Sequence, residues 1–216
     1  TAKEDNSPLT AADLAAHHAI VAGLQRLTPD IPVLSEESAA IPFAERSRWR
    51  RFWLVDPLDG TKEFIQRNGQ FTVNVALIEE HEPVLGVVRV PVTGLCYFAA
   101  RGCGAFREDP GQPPQAIKVK SLQPDGPVRV VGSRSHGGPG LQQFAAALGA
   151  HELVTIGSSL KFCQVAEGAA DVYPRLGPTS EWDTAAAQCI VEVAGGRVAS
   201  AETGEPLRYN TRESLL

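Results

Sequence analysis

In RFWLVDPLDGTKEF, residues 51–64, an apolar run from Phe52 to Val55 stops at Asp56, and Pro57, Asp59, Gly60 and Thr61 follow. Two more acids stand at comparable places: Glu36 after the apolar Val33 and Leu34, and Asp183 just ahead of the helical pattern TAAAQCIVEVAGG. If Glu36, Asp56, Asp59 and Asp183 converge, each pair about 6 Å apart repels by roughly 3 kcal/mol at an effective dielectric of about 20. Several such pairs sum to about 10 kcal/mol, as much as the stability of a whole domain. The cluster must therefore take up protons or hold cations. Carboxylates, a backbone carbonyl and water are the ligand set of Mg²⁺, and two such ions can clamp a phosphoryl group. Gly60 and Thr61 open a helix, whose first N–H groups lack internal partners and attract phosphate. Metal-binding acids beside such a turn suit metal-assisted attack on phosphorus.

Each residue also has an ordinary use. Asp-Pro-x-Asp-Gly is common turn chemistry. Glu36 and Glu37 suit a solvated loop, Asp183 suits a helix N-cap, and Asp13, three residues after Thr10, suits a helix start. Lys161 reads as a surface helix lysine, and His17 and His18 as helix-face residues. The set in its order, rather than any single member, points to catalysis.

Positioning these groups falls to the elements around them. Helical periodicity from about Thr10 to Leu27 puts Leu14, His17 or His18, Val21 and Leu24 on one face, with Thr10 as N-cap and Pro29 beyond the end. Pro32–Ser35 and the run before Asp56 read as strands that end in acids, and GTKEFIQRNG as a short helix closed by Asn68-Gly69. From Gln70 the period becomes two, with Phe71, Val73, Val75 and Leu77 on one face, and strands continue as an antiparallel meander through PVLGVVRVPV and GLCYFAA. EDPGQPPQ, residues 108–115, reads as a linker. Beyond it, strands VRVVGS, HELVTIG, ADVYPRL and RVAS alternate with helices LQQFAAALG, SLKFCQVAEG and WDTAAAQCIVEVAGG, a second, smaller α/β layer.

The composition is that of an ordinary globular chain of 216 residues, with 20 basic and 25 acidic residues and a net charge of −5. That balance argues against a nucleic-acid polymer as partner and leaves room for a small anion held by local cations. No apolar run is long enough to span a bilayer. Cys96, Cys103, Cys163 and Cys189 show no CxxC spacing, and reduced thiols in a cytoplasm are expected. The chain begins at Thr1 and contains no methionine, which reads as a missing or processed N-terminus.

LSEES (34–38), WLVDPLDGTKEF (53–64) and EWDTAA (181–186) resemble the three signatures of the inositol monophosphatase superfamily, and the likeness runs from DNSPLTAAD to RYNTRESLL. The resemblance implies Mg²⁺-dependent, lithium-sensitive phosphatases with a layered αβαβα fold of the α/β class, a mixed, largely antiparallel sheet with a smaller α/β layer. It also implies a helix before Thr1 and a short strand after Leu216. Lys62-Glu63-Phe64, GSRSH (132–136) and GSSLKFCQVAEGAADVYPRLGPT (157–179) resemble the branch that acts on nucleotide 3′(2′),5′-bisphosphates. For that branch the substrate is the small molecule adenosine 3′,5′-bisphosphate, a by-product of sulfate assimilation, cleaved to AMP and phosphate by a monomer or homodimer in the cytoplasm. The resemblance assigns one Mg²⁺ to Glu36, Asp56 and the Leu58 carbonyl, a second to Asp56, Asp59 and Asp183, and a third, weaker one near Glu36 and Asp13. Thr61, with Glu36 or Asp13, would orient the attacking water. Gly60 and Thr61 would cradle the scissile phosphate, and Ser133, His136, Gly157 and Lys161, with Arg134 and Arg175, would contact the nucleotide and its second phosphate. On this reading residues 1–117 form an α+β domain with most metal ligands, and 118–216 an α/β domain with Asp183 and the nucleotide contacts. The same chemistry on an inositol or sugar phosphate, and a non-catalytic module binding Mg²⁺ and an anion, stay open as alternatives.

Overall fold

The computed structural model describes residues 9–122, 126–133 and 138–216. Strand β2, Arg51–Asp59, is buried from Phe52 to Leu58, as expected of an apolar run covered on both faces. β1 (Val33–Ser35) pairs with it in parallel. On its other side β3 (Thr72–Glu79), β4 (Glu82–Arg89), β5 (Cys96–Ala100), β6 (Gly104–Glu108) and β7 (Gln115–Ala116) follow in order, all antiparallel. The Pro- and Gly-rich stretch expected as a linker is the connection of the β6–β7 hairpin, because the two strands pair with each other.

Two features of this sheet aim the acids. Ser35 lies opposite Val55 in the parallel β1–β2 register, so the next residues, Glu36 and Asp56, emerge side by side. Across β2 and β3, Asp56 faces Asn74 while Asp59 faces Thr72, three steps on one strand against two on the other. The extra residue is a β-bulge, and Pro57, which has no N–H for the ladder, sits within it. Residues three apart in a regular strand point to opposite faces. The bulge returns Asp59 to the side of Asp56.

Helix α1, Ala11–Leu27, covers one face of the sheet, packing Ile20 and Leu24 on Trp53, Val55, Val75 and Leu77. Short helices α2 (Phe43–Arg46) and α3 (Thr61–Ile65) flank β2 in sequence. The opposite face is covered by α5 (Leu160–Ala166) and α6 (Glu181–Val193), whose Leu160, Ala186 and Ile190 share one core with Leu34, Phe52, Ile78 and Val88. Beyond them lie the parallel strands β8 (Val128–Ser133) and β9 (His151–Ile156), and then α4 (Pro139–Ala147), with Leu141 and Ala145 against Val130. The layers α1, sheet, α5 with α6, β8 with β9, and α4 make the expected αβαβα sandwich. The four cysteines are unpaired, and no helix among the described residues is long and apolar enough to cross a membrane.

Several expected elements differ. ADVYPRL and RVAS shrink to single bridges, Val130 with Val172 and Ala199 with Pro206, where nearby prolines limit ladder pairing. Helix α1 keeps Leu24 on its expected inner face, but its first turn departs: Asp13 is fully buried and Leu14 is 40% exposed. In β3 the deeper face is Thr72, Asn74, Ala76 and Ile78 rather than the valine face. Both departures arise because buried polar side chains of the site occupy core positions.

Helix α6 lies almost backbone to backbone on β4. A Cβ added at Gly86 would come 2.1 Å from the Ala186 carbonyl oxygen. Gly86→Ala is expected to destabilise the fold by about 1–3 kcal/mol through overpacking. Urea unfolding measures this; an unchanged midpoint would show that α6 can retreat without loss.

Candidate active site

Asp56, 1% exposed, accepts a hydrogen bond of 2.9 Å from the Leu58 amide, and its carboxyl is hydrogen-bonded to that of Glu36. Burial, and then the charges of Glu36, Asp59 and Asp183, push its pKa well above the usual carboxylate range. One carboxylate oxygen from each of Asp56, Asp59 and Asp183 lies within 4.8 Å of the other two.

The acids around this point divide their oxygens between two tasks. Asp59 Oδ2 accepts from the Ser159 amide at 2.6 Å and the Ser159 hydroxyl at 2.7 Å. Asp183 is the N3 residue of a capping box at the start of α6, where its Oδ2 accepts from the Ser180 amide and the Thr179 hydroxyl, each at 3.0 Å. It is therefore not the N-cap that its position suggests; that residue is Ser180. Asp13 has the same place in α1: Oδ2 accepts from the amide and hydroxyl of Thr10, and Oδ1 faces the Thr61 hydroxyl at 3.5 Å. Among the described residues, every hydrogen bond to the carboxylates of Asp59 and Asp183 falls on Oδ2. Hard oxygen donors, concentrated negative charge and carboxylates fixed from behind fit a divalent cation.

A cleft of about 220 Å³ opens in front of Asp59, Thr61 and Asp183. Gly60 lies on its floor at φ +89°, a conformation natural to glycine. The same cleft is also lined by cations, Lys62, Lys161 and Arg175. Lys161, only 5% exposed, donates to the Ser158 carbonyl at 2.5 Å and stands 5.4 Å from the centre of the Tyr173 ring. Burial lowers its pKa, and Asp59 opposes the fall. Ser158 Oγ and Arg175 Nε are buried and have no hydrogen-bond partner among the described residues. Ser158 also has φ +48°, a strained backbone for a serine.

The structure brings Asp13, Glu36, Asp56, Leu58, Asp59, Gly60, Thr61, Lys161 and Asp183 together at this cleft or directly behind it. Gly157 stands behind the wall, its amide on Gln70 Oε1 at 2.9 Å, where a Cβ would strike the Gln70 carbonyl. Ser133 lines a neighbouring cleft of about 280 Å³ that meets the first at Arg175. His136 and Arg134 lie outside the described residues. Lys161 is not the surface lysine its helix position suggests. Asn74, Ser158, Ser159, Tyr173 and Thr179 join the site without being expected from their residue types, although the GSS turn between a strand and a helix is a usable signal.

A profile of the inositol monophosphatase family matches residues 1–215, and the chain belongs to that family. It is 55% identical to the 3′(2′),5′-bisphosphate nucleotidase CysQ of Salmonella typhimurium over 214 residues, 99% of this chain and 84% of the relative. The nucleotidase CysQ of Escherichia coli K12 is 53% identical with the same coverage. The crystal structure of CysQ from Bacteroides thetaiotaomicron superposes with a TM-score of 0.86 at 45% identity, covering 99% of this chain and 83% of that one. An inositol monophosphatase from Anabaena superposes at 0.76 and 28% identity, covering 93% and 78%.

Burial and the charge of Asp59 push the Asp183 pKa up to about 7. An acid whose folded pKa exceeds its unfolded value costs stability as pH rises between the two. The ion-free protein is thus expected to lose on the order of 4 kcal/mol at most from Asp183 between about pH 4 and pH 7. Urea midpoints in EDTA across that range should fall, and Asp183→Asn should flatten the decline. A midpoint that rises with pH contradicts it.

Proposed function

We propose that the chain is a Mg²⁺-dependent phosphatase that removes the 3′-phosphate of adenosine 3′,5′-bisphosphate, giving AMP and phosphate, a step that serves sulfate assimilation. The observation that carries this reading is a cleft lined by both charges: Asp59 and Asp183 of the acid cluster, and Lys161 and Arg175, with the unpartnered Ser158 Oγ and Arg175 Nε beside them. A substrate with two phosphates suits both sets of groups; an inositol monophosphate has one phosphate for the two. The identity to nucleotidases named CysQ, at 53–55%, supports the same substrate.

Glu36, Asp56 and the Leu58 carbonyl would hold one ion, Asp56, Asp59 and Asp183 a second, and Glu36 with Asp13 a third, weaker one. Bound Mg²⁺ would supply Lewis acidity toward the phosphoryl oxygens and ease deprotonation of the attacking water. Thr61 Oγ1, directed at Asp13 Oδ1 and the Leu58 carbonyl, can donate a hydrogen bond to either and accept one from a water in the cleft. Gly60 and Thr61 would receive the scissile phosphate on their amides. Lys161, Ser158 and Arg175 would hold the phosphate that stays on the nucleotide, with Ser133, Gly157 and His136 toward the nucleoside.

Phosphate release from adenosine 3′,5′-bisphosphate with Mg²⁺, abolished by EDTA, is the expected result. Higher kcat/KM on inositol 1-phosphate would move the substrate to the sugar-phosphate class, and no turnover of either would leave a binding module. Lys161→Ala is expected to raise KM for the bisphosphate about tenfold or more, through loss of a charged contact, and to leave a simple monophosphate nearly unaffected. Equal effects on both substrates would remove Lys161 from the anion site.

A further inference from the structure

Ser159 stands 100 residues from Asp59 in the chain and 24 from Asp183, yet it touches both. It is 2% exposed. Its position just before α5 is that of a helix N-cap, where a serine hydroxyl ordinarily accepts from the first-turn amides. No such side-chain bond forms here. The hydroxyl is committed elsewhere: 2.7 Å from Asp59 Oδ2, 2.9 Å from the Asp183 carbonyl and 2.9 Å from Asn74 Nδ2.

The direction of these bonds follows from their donors. Thr72 Oγ1 donates to Asn74 Oδ1 at 3.0 Å, which turns the Asn74 amide nitrogen toward Ser159. The serine oxygen therefore accepts from Asn74, and its single proton goes to an acceptor on the other side. The Asp59 carboxylate is nearer and more basic than the Asp183 carbonyl. A buried relay thus runs from Thr72 through Asn74 and Ser159 to Asp59. With the Ser159 amide it places two short, charge-assisted bonds on one oxygen, which fixes the plane of a carboxylate that has one oxygen within 4.8 Å of Asp56 and Asp183 oxygens.

We propose that Ser159 is a positioning residue for the cation site: its hydroxyl, oriented by Asn74, fixes the Asp59 carboxylate so that it faces, together with Asp183, one divalent ion. This inference rests on the ion-binding reading above. It predicts that Ser159 acts on the ion rather than on the second phosphate, unlike its neighbours Ser158 and Lys161.

Titration calorimetry of Mg²⁺ into the wild type, Ser159→Ala and Ser159→Thr separates the outcomes, with ion-free thermal midpoints recorded in parallel. Ser159→Ala should bind Mg²⁺ about 10–100-fold more weakly, the loss expected when an outer partner of a metal ligand is removed. Ser159→Thr, which keeps the hydroxyl, should recover most of the affinity. For the alanine variant kcat/KM should fall by the same factor on the bisphosphate and on a nucleoside monophosphate, and recover at high Mg²⁺. Unchanged Mg²⁺ affinity, or a loss confined to the bisphosphate, overturns the proposal. If Ser159→Ala does not fold, Asn74→Ala is titrated in its place; it should weaken Mg²⁺ severalfold, and wild-type affinity there also overturns it. A wild type that takes up no Mg²⁺ ends the ion reading itself, a result distinct from a wild type that binds and a variant that binds equally.

Discussion

Repulsion among buried carboxylates is the constraint around which this molecule is organised. Asp56 is sealed between β1 and β3, and the charges of Glu36, Asp59 and Asp183 bear on it. A fold that gathers such groups must stop them from swinging apart into solvent. It does so by holding each from behind: Asp13 and Asp183 through helix capping boxes, Asp59 through Ser159, Asp56 through the Leu58 amide. For Asp13 and Asp183 the helix-start chemistry and the candidate site thus share the same residues. Asp13 closes the capping box of α1 and also faces the Thr61 hydroxyl.

The acids and their order were legible in the sequence because carboxylates at strand ends follow from strong local patterns: an apolar run, a proline, a glycine. The layered class followed from the switch between periods. What escaped was the orientation of elements where function overrides hydrophobicity. Apolar spacing selected Leu14 for the inner face of α1 and the valines for the inner face of β3; the structure buries Asp13, Thr72 and Asn74 instead. The sequence gives no local sign that a threonine and an asparagine in an alternating strand support a carboxylate on the next strand. Nor did it separate the linker-like 108–115 from a hairpin, since proline and glycine serve both.

The cleft also joins the two sheets. Its acids Asp59 and Asp183 belong to the end of β2 and the start of α6, and its cations Lys161 and Arg175 to α5 and the segment after Tyr173. Gly60 and Gly157 keep the facing turns close: a Cβ on Gly60 would meet Ser158, and one on Gly157 would meet Glu63 and Gln70. The close approach of these turns therefore depends on the missing side chains of Gly60 and Gly157.

Asp183 enters the acid cluster on α6, the last helix among the described residues, and α6 closes the core over β3 and β4. During synthesis the sheet, with Glu36, Asp56 and Asp59 on it, leaves the ribosome before that helix exists. The acid cluster is therefore complete only once α6 docks, and closing the core and gathering the acids are one event.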